Sequence, residues 1–473
     1  MNSNKILFYN TFTRRKEEFS PINKKEVLFY SCGPTVYNYP HIGNYRAYIF
    51  ADILKRVLLY EGYKVRHIMN ITDIDDKTIR DSQKSGKTLK EFTEFYTEEF
   101  FKDIKTLNIL EPTKFTKATD YIAEMIEIIK KLLDKKLAYK STDGSIYFDI
   151  KKFKNYGKLS RLVLEDQKET TSLTPQKYGR IKTDEYEKDN AQDFALWKAW
   201  DEKDGDVFWN TDLGKGRPGW HIECSAMSMK LLGEQIDIHT GGVDLIFPHH
   251  ENEIAQSEGA TEKQFVKYWM HNEWLLVDGK KMAKSFNNFY TLRDLIDKGI
   301  NPLAYRFWLL MANYRTRVNF VLEALGGAET ALKRLYGLYL ELGPSPELAG
   351  KHDIGHVHKE YQNKFKEYIE DDLDTPRALT LLWDVIKDEN MSAGDKKATI
   401  LDFDKVLGLG FEHLKEEEIP EKILKIAEER EQARLNKDFK KSDELRNKIN
   451  SLGYEIKDTS LGQKISKIDN FIK

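Results

Sequence analysis

The sequence predicts an α/β protein: a parallel sheet of buried strands carrying an insertion, followed by a helical bundle and a small tail domain. Three observations lead there. Apolar runs alternate with helix-period patterns between Glu26 and Thr72, and again between Glu234 and Gly259, as strands and crossover helices of a parallel sheet do. Strand signals cease beyond about Asn319, where long amphipathic helices take over. And 473 residues are more than one hydrophobic core normally organises, so roughly two to four folding units are expected.

In chain order, EVLFYSC (Glu26 to Cys32) has the unbroken apolar character of a buried strand, and the turn-rich GPTVYNYPHIGN follows it. A helix is predicted from about Tyr45 to Tyr60, with Ile49, Ile53 and Val57 on one face and Phe50, Leu54 and Leu58 beside them; Gly62 ends it. KVRHIMNIT supplies the second strand, and strand, helix, strand in this order make a βαβ unit of a Rossmann-type parallel sheet. Helical patterns run from about Lys87 to Lys140, and Leu162 to Asn190 is polar and aperiodic, an exposed stretch within an inserted segment of about 115–205. EQIDIHTGGVDLIF reads as a further buried strand entering a Gly-rich loop, and PHHENEIAQSEG as its helix. Within 260–318, WLLVDGKKMAKSFNNF reads as a hairpin turning at Asp278-Gly279. The expected division is an α/β region over 1–318, a helical bundle over 319–415 with amphipathic AETALKRLYGLYLEL and RALTLLWDVIKDE, and a tail over 416–473. In the tail, a helix pair rich in Lys and Arg from about Glu421 precedes one short strand, YEIKD.

Basic and acidic side chains nearly balance, 75 against 77, so the net charge of −2 neither requires nor excludes a nucleic-acid partner; a basic stripe on one face is compatible with it. No apolar run approaches the roughly 20 residues of a membrane helix, and Met1 to Tyr9 is too short and polar for a secretory signal. A cytoplasmic protein with no membrane partner is expected. In that reducing compartment Cys32 and Cys224, the two cysteines of the chain, read as metal ligands, catalytic thiols or core residues before they read as a disulfide.

Three groups of residues carry chemistry. Pro40-His41-Ile42-Gly43-Asn44 falls where the first strand's carboxyl end meets a helix start, the place where open α/β sheets bind nucleotides and backbone N–H groups favour phosphate. There His41 can donate to an α-phosphate, and Gly43 lets a purine ring approach the backbone; an isolated match of this kind is also what an exposed loop histidine looks like. Lys281-Met282-Ala283-Lys284-Ser285 lies on the hairpin, where two lysines can reach triphosphate oxygens from a mobile loop. No GxxxxGK[ST] pattern occurs, so ATP would bind otherwise than in a Walker-type loop. Cys32, Cys224, His249 and Glu253 form the third group: two thiols, an imidazole and a carboxylate suit zinc, and His249 and Glu253, four apart, share a helix face. The competing readings are Cys32 as a core residue and HHENE as a solvated helix face. Against them, both cysteines flank crevices that a doubly wound sheet brings together.

At these residues the chain resembles the cysteinyl-tRNA synthetase family of class I aminoacyl-tRNA synthetases, over essentially its whole length. Ser31-Cys32-Gly33-Pro34-Thr35-Val36-Tyr37 precedes a HIGH-type motif, and Asn70 to Lys77 matches the family's Asn-x-Thr-Asp-x-Asp-Asp-Lys. Asp193 to Lys198, Gly219 to Met227, Gly241 to Leu245 and Phe247 to Glu253 then match in order before a KMSKS-type loop. The resemblance implies ATP-dependent ligation of L-cysteine to tRNA(Cys) through a cysteinyl-adenylate, with Mg²⁺ accompanying ATP. It implies one Zn²⁺ per subunit on Cys32, Cys224, His249 and Glu253, recognising the substrate thiol. It further implies catalytic roles for His41, Lys281 and Lys284, ATP contacts from His41, Gly43, Asn44, Asp244 and Lys284, and substrate contacts from Gly33, Thr72 and Trp220. The tail, with Arg434 to Asp458 in it, would recognise the anticodon, and a monomer is expected. Because a thiolate is a far better zinc ligand than a neutral serine hydroxyl, no editing domain is expected.

Three departures from the family pattern stand out: Asn44 replaces the last histidine of HIGH, Ala283 the serine of KMSKS, and Ile465 a frequent tryptophan. Asn44 keeps a side-chain donor and Ala283 loses only a hydroxyl between two retained lysines, whereas Ile465 removes an aromatic platform for base stacking. Two other functions compete. One is a cysteine ligase with an amino-sugar acceptor, for which an anticodon-type tail serves no purpose; the other is a non-catalytic zinc-containing RNA-binding relative, against which His41, Lys281 and Lys284 argue.

Overall fold

The computed structural model describes residues 5–162, 193–282, 288–343, 355–414, 419–459 and 462–467. At its centre stand five parallel strands, β1 (Glu26–Ser31), β2 (Lys64–Ile71), β3 (Lys114–Lys117), β4 (Ile236–Gly242) and β5 (Val266–Asn272), in spatial order β5-β4-β1-β2-β3. The order reverses between β1 and β4. Connections leave these two neighbours towards opposite edges, which opens a crevice at their carboxyl ends.

Helix α1 (Ile42–Tyr60) follows β1, α2 (Trp220–Leu232) precedes β4, and α3 (Glu251–Thr261) joins β4 to β5. Successive side chains of a strand point to opposite faces, and here both faces are covered. Phe29 of β1 enters a core shared with Ile53, Leu54 and Val57 of α1 and with the helical bundle. Its neighbour Tyr30 enters the other core, shared with Ile222 of α2, Ile254 of α3 and Trp197 of the insertion. Helix α1 begins at Ile42, earlier than the expected Tyr45, because His41 and Asn44 cap it reciprocally.

Between β3 and β4 lies a sheet of antiparallel pairs, ordered Ala138–Lys140, Ile146–Phe148, Phe194–Ala199, Gly214–Pro218, Trp209–Thr211. Of the polar stretch Leu162 to Asn190, only Leu162 falls among the described residues. Asp76, at the start of the helix Asp76–Ser85, ties this sheet to the rest of the fold by pairing with Lys198 at 2.7 Å and with Arg217. The hairpin forms as expected: Leu275–Val277 pairs with Lys280–Lys281, and Asp278 (φ 49°) and Gly279 (φ 73°) supply the left-handed two-residue turn that Asp-Gly favours.

The bundle consists of Leu322–Leu340, Lys359–Glu370, Thr375–Lys387 and Ala393–Leu407. Arg306, wholly buried, fastens it to the sheet region: its guanidinium donates to Asp52 of α1 at 2.5 Å and to the carbonyls of Leu407 at 2.8 Å and Leu107 at 3.2 Å. In the tail, Glu421–Leu435 and Phe439–Ser451 pack on a hairpin, Tyr454–Thr459 with Gly462–Lys467, so a second strand joins the single one expected. Ile465 stands opposite Ile456 and packs on the tail's small core of Ile423, Ile426 and Ile449. Among the described residues, no helix is long and apolar enough to cross a membrane.

Candidate active site

The crevice between β1 and β4 gathers most of the residues singled out from the sequence. Cys32 directly follows β1, and its N–H donates to Thr240 of β4 at 3.1 Å, bridging the point where strand order reverses. Cys224 lies early in α2, and His249 and Glu253 straddle the start of α3. One ligand atom from each of Cys32, Cys224, His249 and Glu253 lies within 4.8 Å of the other three. Tetrahedral zinc with these donors needs ligand atoms about 3.3 to 3.8 Å apart, so small side-chain adjustments suffice. His249 presents Nε2 3.1 Å from Glu253 Oε1, while its Nδ1 is held by His221 Nδ1 at 3.0 Å, the arrangement of a metal-ligating imidazole steadied from behind. A second set, Cys32, His239, His250 and Glu253, converges equally closely. The first has two thiols and is the softer, more zinc-like donor field.

Electrostatics at this cluster is governed by burial and by the neighbours that oppose it. Burial works against charge on Glu253, yet His239 and His249 outweigh it and hold the carboxyl down to about 2. Burial likewise disfavours protonated His249, but the Glu253 charge and Cys224 push it up to about 10. The Cys224 thiol is pulled down to about 6, first by its hydrogen bond with Cys32, whereas burial pushes the Cys32 thiol up.

Around the donors stands a shell of buried histidines that the sequence reading did not assign. His239 Nε2 donates to Glu253 Oε2 at 2.9 Å. His250 Nε2 lies 3.3 Å from Cys32 Sγ, its Nδ1 is 2.8 Å from His271 Nε2, and His271 Nδ1 is 2.8 Å from Thr11 Oγ1. Burial pushes His221, His250 and His271 well down, so these rings are neutral. His221 and His250 lie inside the matched motifs and could have been noticed there. His239 and His271 occupy buried strand positions, and a lone histidine in an apolar run carries no periodic signal.

Beside this cluster His41 caps α1: its Nδ1 accepts from the Asn44 N–H at 3.2 Å, and Asn44 Oδ1 accepts from the His41 N–H at 3.0 Å. With Nδ1 accepting, the neutral ring carries its proton on Nε2, an N–H donor suited to an anion. A Cβ at Gly43 would stand 2.9 Å from His41 Cε1, so this glycine first of all leaves room for the histidine ring. The chain beyond the hairpin returns onto the motif, with Ile42 N–H donating to Tyr290 at 2.8 Å and Phe289 edge-on to His41 at 5.5 Å. Lys281 contributes its backbone to the hairpin strand; Lys284 lies outside the described residues.

A cleft of about 350 Å³ joins the two parts, and Cys32, Gly33, His41, Gly43, Asn44, Trp220 and Asp244 all line it. Trp220 is 36% exposed and lies over His249, with ring centroids 4.3 Å apart. Gly33 donates to Asn70 Oδ1 at 2.9 Å, and a Cβ there would fall 1.8 Å from the Asn70 carbonyl oxygen. Thr72 is not at the cleft surface. It is buried one layer behind Gly33, accepting from Asn70 Nδ2 at 3.2 Å and donating to Glu223 Oε2 at 3.0 Å.

Solved structures share this architecture at low identity. Methionyl-tRNA synthetase of Mycobacterium tuberculosis in complex with methionyl-adenylate matches with TM-score 0.56 and 13% identity, over 81% of this chain and 90% of that one. LeuRS of Agrobacterium radiobacter K84, in a ternary complex with tRNA and LeuAMS, matches with TM-score 0.56 and 11% identity, over 84% and 85%. The fold is thus that of class I tRNA synthetases.

Sequence comparison narrows this further. The family model described as "tRNA synthetases class I (C) catalytic domain" matches residues 18–330. The Cysteine--tRNA ligase of Chlamydia felis is 47% identical over 480 residues, 99% of each chain. That of Brachyspira hyodysenteriae is 47% identical over 97% of this chain and 98% of its own, and that of Protochlamydia amoebophila 45% over 98% of each. The chain belongs to the class I (C), or cysteinyl, tRNA synthetase family.

Proposed function

We propose that this chain joins L-cysteine to tRNA(Cys) in an ATP-dependent reaction that passes through cysteinyl-adenylate. The observation carrying this reading is the convergence of Cys32, Cys224, His249 and Glu253, with Cys32 lining the same cleft as His41, in a chain 47% identical over 99% of its length to a Cysteine--tRNA ligase. The cysteine carboxylate attacks the α-phosphate of ATP and pyrophosphate leaves; the terminal ribose hydroxyl of tRNA then attacks the acyl carbon and AMP leaves. Little covalent help is needed, so the protein's task is positioning and charge stabilisation. His41, oriented by Asn44, directs its Nε2–H at the α-phosphate, and the first N–H groups of α1 add to the field. Lys281, at the end of the hairpin strand, and Lys284, three residues further along the chain, take the triphosphate, whose Mg²⁺ arrives with it, and Asp244 lines the ATP end of the cleft.

The four donors fit Zn²⁺, which when bound would offer a soft partner to the cysteine thiolate that a protonated serine hydroxyl cannot match. Trp220 walls that end of the pocket beside His249. Gly33 keeps the floor flush against Asn70, and Thr72 supports it from behind through Glu223. In this reading 1–318 is the catalytic region, 319–415 a helical bundle and 416–473 the anticodon-binding unit, in a cytoplasmic monomer.

The test is charging of tRNA(Cys) by the purified full chain with radiolabelled cysteine or serine, with zinc content assayed in parallel. Cysteine-specific charging that disappears on zinc removal and returns with zinc is the expected result. Equal charging with serine would overturn the metal's role, and activation of cysteine without charging would move the reading to a ligase with an amino-sugar acceptor.

A further inference from the structure

The helix Leu89–Thr106 carries aromatic rings on both of its faces. Phe92, Phe100 and Ile104 fill the buried side, yet Phe95 remains 41% exposed. Core packing accounts for the first three and leaves Phe95 without a reason. Its ring meets Tyr96 at 5.1 Å and Tyr39 at 6.3 Å, and Tyr39 lies two residues before His41 and lines the cleft. An aromatic step therefore runs outward from the cleft mouth. Cations sit upon it: Lys87 Nζ is 5.3 Å from the Phe95 centroid, and the Arg293 guanidinium is 4.6 Å from that of Tyr39. Arg293 also pairs with Glu99, while the nearby carboxylate of Glu94 is engaged by Lys117 at 3.2 Å.

We propose that Tyr39 and Phe95 form a stacking step for the single-stranded 3′ end of tRNA as it enters the cleft, a reading that rests on the tRNA-charging function above. Unpaired bases stack on aromatic faces whatever their identity, and cations held over such rings meet the phosphates between them. Transfer demands that the terminal ribose reach the cleft beside His41 while the nucleotides before it stay outside. The step lies at that threshold and is continuous with the cleft wall.

The full-length protein and its Phe95→Ala and Phe95→Trp variants would be compared in three measurements. These are cysteine-dependent exchange of pyrophosphate into ATP, charging kinetics against tRNA(Cys), and affinity for tRNA(Cys) transcripts with and without the unpaired 3′ nucleotides. Exchange should stay within about twofold of wild type for both variants. In Phe95→Ala the KM for tRNA should rise about fivefold or more, the lower end of one base–aromatic stack, and the affinity gained from the unpaired end should vanish. Phe95→Trp should restore both. An unchanged KM in Phe95→Ala, or an equal loss of affinity for truncated and intact tRNA, overturns the step. Wild-type protein that exchanges pyrophosphate but charges no tRNA instead overturns the reading beneath it.

Discussion

Replacing His239 with phenylalanine separates the hydrogen bond it makes from the space it fills. The imidazole stacks on Trp269, centroids 4.7 Å apart and planes 21° from parallel, which a phenyl ring preserves. Its Nε2 donates to Glu253 Oε2 at 2.9 Å, which a phenyl ring cannot do. Both side chains are wholly buried, so water does not replace the donor. His239 Nδ1 has no hydrogen-bond partner among the described residues, so Nε2 is the ring nitrogen through which this side chain supports the donor set. Stripping a buried acceptor of its donor costs about 1–3 kcal/mol, and outer partners of metal ligands are typically worth about 10 to 100-fold in metal affinity, or about 1.4–2.7 kcal/mol. The two ranges agree, so His239→Phe should bind zinc about 10 to 100 times more weakly. Chelator-competition titration reads this directly, and the Tm of the metal-free protein, expected to fall less than that of the loaded protein, controls for general damage. Zinc affinity equal to wild type would remove Glu253 from the donor set.

Two further outcomes follow from ion pairs elsewhere. Arg306→Met leaves Asp52 its second partner, Arg56 at 2.8 Å, but strips a donor from three backbone carbonyls and removes one of the two cations that compensate a buried carboxylate; a loss of about 3 kcal/mol is expected, at the low end for broken buried pairs, and urea denaturation indistinguishable from wild type would contradict it. In the tail, Arg430 first, by hydrogen bonding, with Arg434 and Arg446 adding their charges, holds the Asp458 carboxyl below the usual carboxylate range. Because the unfolded chain then binds a proton more readily, this contribution is complete above about pH 4 and is lost as pH falls towards the depressed folded value. Hydrogen exchange across Glu421–Leu435 should therefore accelerate in acid, and Asp458→Asn should flatten that dependence while loosening the tail at neutral pH. An Asn variant with unaltered acid response would show that another group governs it.

The central sheet is legible in the sequence because both its faces are covered, which leaves β1 an apolar run without alternation, while β4, with Asp237 and His239 buried between its isoleucines, is legible from the Gly-rich loop it enters. The insertion's sheet is not. Its strands are three to six residues long, and Phe148 meets Phe194 only across the polar stretch that separates them. Gly462–Lys467 is too polar to declare itself as a strand and is defined by its register with Tyr454–Thr459. At the site, the donor set is legible because there are only two cysteines and because His249 and Glu253 are spaced one helical turn apart. The supporting histidines are not, since His271 reaches His250 through the pairing of β5 with β4, which no local pattern encodes. Thr72 shows the same limit: its place at a strand end is readable, but which way its hydroxyl points depends on Glu223 of a helix 151 residues away.

That division has a physical reason in what selection of cysteine would demand. Cysteine and serine differ by one atom, and size alone discriminates a methylene-sized difference by only about 1–3 kcal/mol, so selectivity has to come from a bond that one substrate makes and the other does not. A bond of that kind discriminates only if its protein partners cannot relax to suit the wrong ligand. Three of the four donors are accordingly fixed from behind by a buried imidazole: Glu253 by His239, His249 by His221, Cys32 by His250. The donors also come from both sides of the point where strand order reverses, Cys32 from the first half of the sheet and Cys224, His249 and Glu253 from the second. A metal there would join the two halves, so its binding and their mutual packing would be one equilibrium. Loosening β1 against β4, at the Cys32 to Thr240 hydrogen bond for instance, would weaken metal binding even with all four donors intact.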